Sequence, residues 1–340
     1  MTVKIFMLGA TGFIGGDLLA CLEEQYPEYE ITCLVRTQDK ADIVRAVYPN
    51  VKVVLGDNES AEIVERETLN ADIVFHSATS ADDVPGTTSI CKAAAKEKES
   101  GRPTYYIHVS GTGLLTYQAD KGQPRHGKTY NDWEGLPDLV NFPAEAPHRN
   151  VDQIVLEAAK ANPATLRTAI VCPPVIYGPG RGPINKRAMI TPLTVASMIE
   201  RGQGYLPTGD AAWHHVHVHD LSDLFIRLIR AAAEGGGRAT WNQEGYYLAE
   251  SERMGWPEYC KAALARVAEA GYISPNDEEV PVWDMQEAVG QVGGLAGIYY
   301  STALGESIRA RKLLGWEPKG KSVVHDMVDV IALEAKALGK

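Results

Sequence analysis

The chain has 340 residues, of which 45% are apolar and 23% charged; these are ordinary values for a globular protein and exclude a disordered chain or a fibrous repeat. Its 44 acidic residues outnumber its 33 lysines and arginines, for a net charge of −11, so we expect no nucleic-acid partner held by bulk positive charge. No run approaches the roughly 20 apolar residues of a membrane span, and five cysteines without a CxxC pair favour a reducing, cytoplasmic environment over a disulfide framework or a zinc site.

The first half of the chain alternates short β-branched runs with helical spacing of apolar residues. This pattern is typical of a parallel sheet covered by helices on both faces. The predicted strands are residues 4–8, 31–35, 51–55, 72–76, 105–109 and 165–171, and the predicted helices are residues 13–25, 40–47, 61–69, 87–98 and 144–161. We therefore predict an α/β fold with a Rossmann-type doubly wound parallel sheet of about seven strands.

Prolines and glycines interrupt this pattern after Val171, which indicates a loop. Beyond it the sequence predicts a smaller, mostly helical lobe, with helices at residues 191–201, 221–233, 257–270, 303–314 and 323–338, while residues 289–298 have no clear pattern. We divide the chain into a nucleotide-binding domain, residues 1–172 with part of 205–245, and an interleaved substrate lobe, residues 173–340.

Three glycines at three-residue spacing separate the first strand from the first helix. The motif, in chain order, is Gly9, Ala10, Thr11, Gly12, Phe13, Ile14 and Gly15. Glycines at such a turn let the backbone approach a pyrophosphate, and the helix N-terminus offers it free N–H groups and the positive end of its dipole. Because the motif lies in a strand–turn–helix context, it predicts dinucleotide binding rather than a packing turn.

The end of the second predicted strand carries Arg36 and no acidic residue that would bind the ribose hydroxyls of NAD. An arginine here suits a 2′-phosphate and favours NADP (NADPH) over NAD, although a solvated surface arginine is the alternative. After the third strand, Asp57 is a candidate acceptor for the adenine amino group, or an ordinary turn aspartate.

Together with the glycine turn, four further segments resemble the extended short-chain dehydrogenase/reductase family, which includes nucleotide-sugar epimerases and dehydratases. They are residues 76–79 (HSAT), 173–179 (PPVIYGP), 216–221 (VHVHDL) and 313–318 (LLGWEP). The resemblance implies that Ser77, Ala78 and Thr79 follow the cofactor backbone and that a loop with Pro173 and Val175 covers the nicotinamide. It also implies a small-molecule substrate and a homodimer.

Catalysis in that family uses a Ser or Thr after the fifth strand and a Tyr-x-x-x-Lys pair on the next helix, where the lysine lowers the pKa of the tyrosine. Ser110 and Thr112 stand at the first position in this sequence. The pair is missing: His148 stands at the tyrosine position and Asp152 at the lysine position. A shift by one residue does not restore it.

Two replacements for the tyrosine are open. His148 could act as general acid with Asp152, one helical turn away, orienting it, or Tyr130, or else Tyr117, could reach the site from the segment before the helix. Alternatively, His148 and Asp152 only cap and solvate the helix start.

Histidines 215, 217 and 219 alternate as metal ligands on a strand would, but the run matches the family's strand before a helix, so we predict no metal, with Asp220 capping that helix. A cluster of Arg181, Lys186, Arg187, His214 and His215 could meet an anionic substrate or merely solvate a loop. These side chains decide nothing by themselves.

The leading hypothesis is an NADP-dependent reductase of a carbonyl or related group on a small metabolite. The loss of the Tyr-x-x-x-Lys pair also admits a catalytically silent NADP-binding redox sensor, similar to NmrA-like regulators. A non-redox epimerase, dehydratase or lyase on the same fold is the third hypothesis.

Overall fold

The structure is a computed structural model and describes residues 2–117, 127–274 and 280–340. Its strands are β1 Lys4–Leu8, β2 Glu30–Val35, β3 Lys52–Leu55, β4 Ile73–His76, β5 Thr104–Val109, β6 Thr129–Asn131, β7 Leu166–Cys172, β8 Val175–Tyr177, β9 Leu206–Pro207, β10 Ala212–His217, β11 Tyr246–Leu248, β12 Glu252–Gly255, β13 Val282–Trp283 and β14 Leu304–Glu306. Its helices are α1 Phe13–Gln25, α2 Gln38–Val47, α3 Ala61–Asn70, α4 Val84–Ala94, α5 Leu136–Val140, α6 Arg149–Ala161, α7 Ile190–Arg201, α8 Val218–Ala233, α9 Trp256–Glu269, α10 Met285–Val292, α11 Arg309–Leu314 and α12 Val323–Ala337.

A seven-stranded sheet forms the centre of the fold, in the order β11-β7-β5-β4-β1-β2-β3. Its neighbouring strands are all parallel, and the chain order reverses between β1 and β4. Leu8 lies opposite both Leu34 and His76, so the carboxyl ends of the central strands meet at one edge. The predicted doubly wound Rossmann-type sheet is confirmed, and its switch point is the place where such folds bind ligands.

Two helix predictions need correction. The helix predicted from residue 144 begins at Arg149, since His148 takes a left-handed φ of +66° before it. The segment predicted as a helix from residue 303 starts as β14, which pairs with β6, and becomes helical only at Arg309. Pairing with a distant strand overrides local helix preference there. The stretch 289–298 ends α10 and continues as a 3₁₀ turn, Gly294–Tyr300.

Part of the C-terminal half of the chain returns to the sheet. Helix α8 packs against α1, and β11 pairs with β7 at the edge of the sheet. This returning segment extends as far as Leu248, and the division into a nucleotide-binding domain and a substrate lobe stays a prediction. The remaining lobe surrounds small sheets and an aromatic core that includes Tyr205, Trp256, Tyr259 and Tyr299.

Within the described ranges, no helix is both long and apolar enough to cross a membrane.

Candidate cofactor and catalytic site

The glycine turn after β1 is shaped by contacts that exclude side chains. Gly9 has a φ of +96°, and a Cβ there would lie 2.7 Å from Ser77 Oγ and 2.8 Å from the Ala78 nitrogen. A Cβ at Gly15 would overlap the Gly9 carbonyl oxygen. Gly12 precedes α1 and donates its N–H to the Gly9 oxygen at 2.9 Å. The turn therefore leaves the N-terminus of α1 open to a ligand phosphate.

A cleft of about 540 Å³ lies over this turn at the switch point of the sheet. Its lining consists of Gly9, Thr11, Gly12, Leu34, Arg36, Gly56, Asp57, Asn58, Glu59, Ser77, Ala78, Thr79, Asp82, Asp83 and Pro85. The glycine floor and the helix N-terminus suit a pyrophosphate, and the half-apolar wall suits an adenosine. The residues present thus fit a dinucleotide.

Arg36 and Asp57 both border this cleft. The Arg36 side chain is exposed directly after β2, where it is free to pair with an added phosphate. The Asp57 Oδ1 atom accepts from Ser60 Oγ at 2.7 Å and from the Glu59 N–H at 3.1 Å, and the Ser60 hydroxyl lowers the pKa of the Asp57 carboxyl. Asp57 therefore shapes the turn after β3, while its contact with adenine stays a prediction.

The segment after β4 forms the opposite wall of the cleft. The Asn58 side chain donates to the Ala78 carbonyl oxygen at 2.8 Å, which ties the β3 loop to the β4 loop. Thr79 has a left-handed φ of +57°, and Ser80 Oγ donates to the Val109 carbonyl oxygen. Ser77, Ala78 and Thr79 all border the cleft, and their contact with a cofactor stays a prediction.

His148 contacts a residue that the sequence analysis did not select. Its Nδ1 atom lies 2.9 Å from Asp82 Oδ1, and 24% of its side chain is exposed. Asp82 follows β4 and also borders the cleft. On its other side the imidazole packs on the backbone of Gly111 and Gly113, where an added Cβ would lie 3.4 and 2.7 Å from Nε2. An Asp–His pair therefore stands beside the loop that carries Ser110 and Thr112.

Asp152 does not orient His148, contrary to the hypothesis from the sequence. Its side chain is fully buried, its Oδ2 atom accepts from the Tyr246 hydroxyl at 2.7 Å, and Oδ1 lies 3.7 Å from Nε2 of the buried His108. Burial raises the pKa of Asp152 to about 6, which the Tyr246 hydroxyl partly offsets, and burial lowers the pKa of His108 well below its usual value. Asp152 belongs to the interior, and helix periodicity could not reveal that β11 would supply its partner.

Ser110 and Thr112 follow β5 as predicted and are only 5% and 3% exposed. The Thr112 N–H donates to the Pro173 carbonyl oxygen at 3.0 Å, which joins this loop to the predicted nicotinamide loop. Among the described residues, neither hydroxyl oxygen has a hydrogen-bond partner of ordinary geometry. The Ser110 hydroxyl also lowers the pKa of the buried Asp152 carboxyl, so it faces the interior, and the contact of either hydroxyl with a substrate oxygen stays a prediction.

Other predicted residues lie outside the cleft. Tyr130 is on β6, which pairs with β14, and its ring packs against Phe142 with Lys128 Nζ 5.0 Å from the ring centre. Its described contacts do not include His148 or Ser110. Val175 is buried at the start of β8, so the covering of a nicotinamide by Pro173 and Val175 stays a prediction.

The two arginines predicted as candidates to meet an anionic substrate are each paired with a carboxylate of the chain. Arg181 forms a bidentate pair with Asp17, and Arg187 forms one with Glu334. The ring of His215 is buried and stacks on Tyr259 at 5.6 Å. The charges of both arginines are thus already neutralised.

The rings of His217 and His219 contact each other, with centroids 4.5 Å apart, but each has its own partner: His219 Nε2 lies 3.0 Å from the Pro179 carbonyl oxygen, and His217 caps α8. Asp220 does not cap that helix; its carboxylate accepts from the N–H groups of Lys319 and Gly320 at 2.8 and 2.9 Å. In the described part of the chain, no group of three His, Cys, Asp or Glu side chains could hold a metal ion.

Two family models match consecutive segments of the chain. A family model described as NAD(P)H-binding matches residues 9–134, and one for the NAD dependent epimerase/dehydratase family matches residues 141–242. Oxidase ucsJ of Acremonium sp is 34% identical over all of this chain and 99% of its own length. The chain belongs to the NAD-dependent epimerase/dehydratase family, within the extended short-chain dehydrogenases/reductases.

Solved structures of this epimerase/dehydratase family share the fold over the full chain. The dTDP-glucose 4,6-dehydratase DesIV of Streptomyces venezuelae, solved with NAD bound, is 17% identical, with a TM-score of 0.68 and 98% of each chain covered. The UDP-glucose 4-epimerase of Thermotoga maritima is 16% identical, with a TM-score of 0.66, covering 99% of this chain and 100% of its own.

Proposed function

We propose that this protein is an NADP-dependent oxidoreductase that reduces a carbonyl or related group of a small metabolite, with His148 as the proton donor. The observation that carries the proposal is the 2.9 Å contact between His148 Nδ1 and Asp82 Oδ1, formed where the dinucleotide cleft meets the Ser110 loop. Reduction of a carbonyl needs a proton donor, and α6 does not carry the Tyr-x-x-x-Lys pair that supplies the proton in the family.

Each residue of the site would have a separate role in the reduction. A carboxylate accepts hydrogen bonds only, so Asp82 holds the His148 ring with Nδ1–H directed at Oδ1 and thereby orients it. Protonated His148 then donates its Nε2 proton to the substrate oxygen as the carbonyl carbon is reduced. The hydroxyls of Ser110 and Thr112 orient that oxygen by hydrogen bonds. NADPH, when bound, supplies the hydride.

The preference for NADP rests on Arg36. Its side chain is exposed at the end of β2 on the wall of the cleft, and a planar guanidinium can pair with a 2′-phosphate while stacking on adenine. The acidic Asp57 and Glu59 border the same cleft, so Arg36 is the cation that would offset them around an additional phosphate.

The proposal is tested by NADPH consumption with a panel of aldehydes and ketones, and by NADP⁺ reduction with the matching alcohols, since the relative ucsJ carries the name oxidase. We expect turnover by the wild type and a loss of roughly 100-fold or more in kcat for His148→Phe. Unchanged turnover by that variant would rule out His148 as the proton donor.

A second candidate is an NADP-binding redox sensor, in which the cleft binds the cofactor but no substrate is converted. It is favoured by Asp152, a buried acid at the position of the family's lysine. Tight NADPH binding without turnover in either direction of the panel would support this candidate and contradict the reductase.

A further inference from the structure

An acidic side chain is buried inside the helix that begins at the glycine turn. Asp17 lies on the second turn of α1 and is fully buried. It lies five positions after Gly12, which corresponds to about 7.5 Å along the helix axis. A carboxylate so close to the N-terminus would repel a bound pyrophosphate unless another side chain neutralises it.

Arg181 provides this neutralisation. Its Nε and Nη2 atoms donate to the two Asp17 oxygens at 3.0 and 2.7 Å, and its backbone N–H donates to Oδ1 at 2.8 Å. The Ser222 hydroxyl adds a bond of 2.6 Å, and His219 Nε2 lies 3.6 Å away. Burial by itself would raise the pKa of Asp17, but the hydrogen bonds from Arg181 and Ser222 lower it, so the carboxylate is ionised at neutral pH.

The loop around Arg181 also packs on the first turns of α1. A Cβ added to Gly180 would lie 3.1 Å from the Phe13 ring, and one added to Gly182 would lie 2.7 Å from the Cα atom of Gly16. Residues 180, 181 and 182 therefore contact helix positions 13, 17 and 16, respectively. The loop holds the phosphate-binding helix in place from the side of the C-terminal lobe.

We propose that Arg181 is a positioning residue for the dinucleotide: by pairing with Asp17, it removes a negative charge from beneath the pyrophosphate and fixes the 178–187 loop on α1. This assignment rests on the proposed cofactor. It predicts that the loss of Arg181 weakens NADPH binding because the charge of Asp17 is then unpaired. Removing that charge as well should therefore restore NADPH binding.

The test is a fluorescence titration of NADPH with four variants, Arg181→Gln, Asp17→Asn, the double variant, and Arg187→Gln as the matched control. Arg187 lies in the same loop but pairs with Glu334, so its loss removes the same charge without unpairing Asp17. We expect Arg181→Gln to weaken NADPH binding roughly tenfold, because the buried charge of Asp17 is then unpaired. The double variant and Arg187→Gln should bind within twofold of the wild type.

A thermal melt of each variant separates binding from folding, and Arg181→Lys, which keeps the charge, should bind better than Arg181→Gln. If the double variant binds as weakly as Arg181→Gln, the electrostatic role is wrong. If the wild type binds neither NADPH nor NADH, the proposed cofactor itself fails, and this assignment fails with it.

Discussion

His148 and Asp82 lie 66 residues apart in sequence, yet their Nδ1 and Oδ1 atoms are 2.9 Å apart. Left-handed backbone occurs close to both ends of this contact, at His148 (φ +66°) and at Thr79 (φ +57°), just before the 3₁₀ turn that contains Asp82. Such conformations cost about 1–3 kcal/mol each and concentrate at functional sites. The fold thus holds the pair in a fixed arrangement before any substrate binds.

Replacing Asp82 by asparagine should lower kcat by roughly 10- to 100-fold. The amide keeps the size of the side chain but can donate to Nδ1 as well as accept from it, so it no longer fixes the orientation of the His148 ring. NADPH should bind no more weakly, because the change removes a negative charge from the cleft. Steady-state kinetics and a cofactor titration on the same preparation check both parts; a kcat equal to that of the wild type would contradict the dyad.

Replacing Gly113 by alanine should displace His148, because the new Cβ would lie 2.7 Å from Nε2. We expect kcat to fall severalfold or more while NADPH affinity is kept, since Gly113 does not line the cleft. Gly111→Ala is the matched control: its Cβ would make an ordinary contact of 3.4 Å with the same atom. Equal effects of the two substitutions on kcat would contradict the position of His148.

Replacing Gly15 by alanine should abolish NADPH binding or folding, because the Cβ would overlap the Gly9 carbonyl oxygen and force the turn open. Gly290, on α10, faces open space, and Gly290→Ala should stabilise the protein by about 0.5–1 kcal/mol. Thermal melts and NADPH titrations of both variants check this pair. Normal cofactor affinity in Gly15→Ala would mean that the turn does not hold the dinucleotide.

Replacing Asp152 by asparagine should stabilise the protein in a pH-dependent way. Folding raises the pKa of Asp152 from 3.8 to about 6, so the wild type is favoured with the acid protonated and loses that stability as the pH rises through 6. Asparagine stays neutral and can still accept from Tyr246. Its advantage should be near zero at pH 4 and reach about 2–3 kcal/mol at pH 8.

Urea unfolding of both proteins at pH 4, 6 and 8 measures that difference. Asp132 is also buried, with a pKa raised to about 6 by burial and opposed by backbone N–H donors, but it is present in both proteins and cancels. A difference that stays constant across this range would show that Asp152 has an ordinary pKa.

The sequence was sufficient for features that depend on local chemistry. The strand and helix periods and the glycine turn follow from residues close together in the chain, whereas the placing of Ser77, Ala78 and Thr79 beside a cofactor is implied only by the family resemblance. The partners of His148 and Asp152 do not follow from nearby residues, because Asp82 and Tyr246 reach them only through the topology of the sheet. The rule that the carboxyl ends of parallel strands share an edge would have brought Asp82 near the site, but no residue pattern distinguishes it from a surface aspartate.

The same limit explains the strand at Leu304–Glu306, predicted as helix. Its pairing with β6 and the buried Asp132 carboxylate, which accepts the N–H groups of Ile308 and Arg309 at 2.8 Å each, join segments about 175 residues apart. Tertiary contacts of this kind override helix propensity and leave no periodic signal.

The cofactor assignment is tested most directly by a fluorescence titration of the purified protein with NADPH and, separately, with NADH, repeated on Arg36→Leu. We expect tight binding with NADPH preferred by at least tenfold, a preference that Arg36→Leu removes by weakening NADPH binding while leaving NADH binding nearly unchanged. Equal affinities in the wild type, or a preference that survives the loss of Arg36, would contradict the assignment of NADP; failure to bind either nucleotide would contradict the cofactor site as a whole.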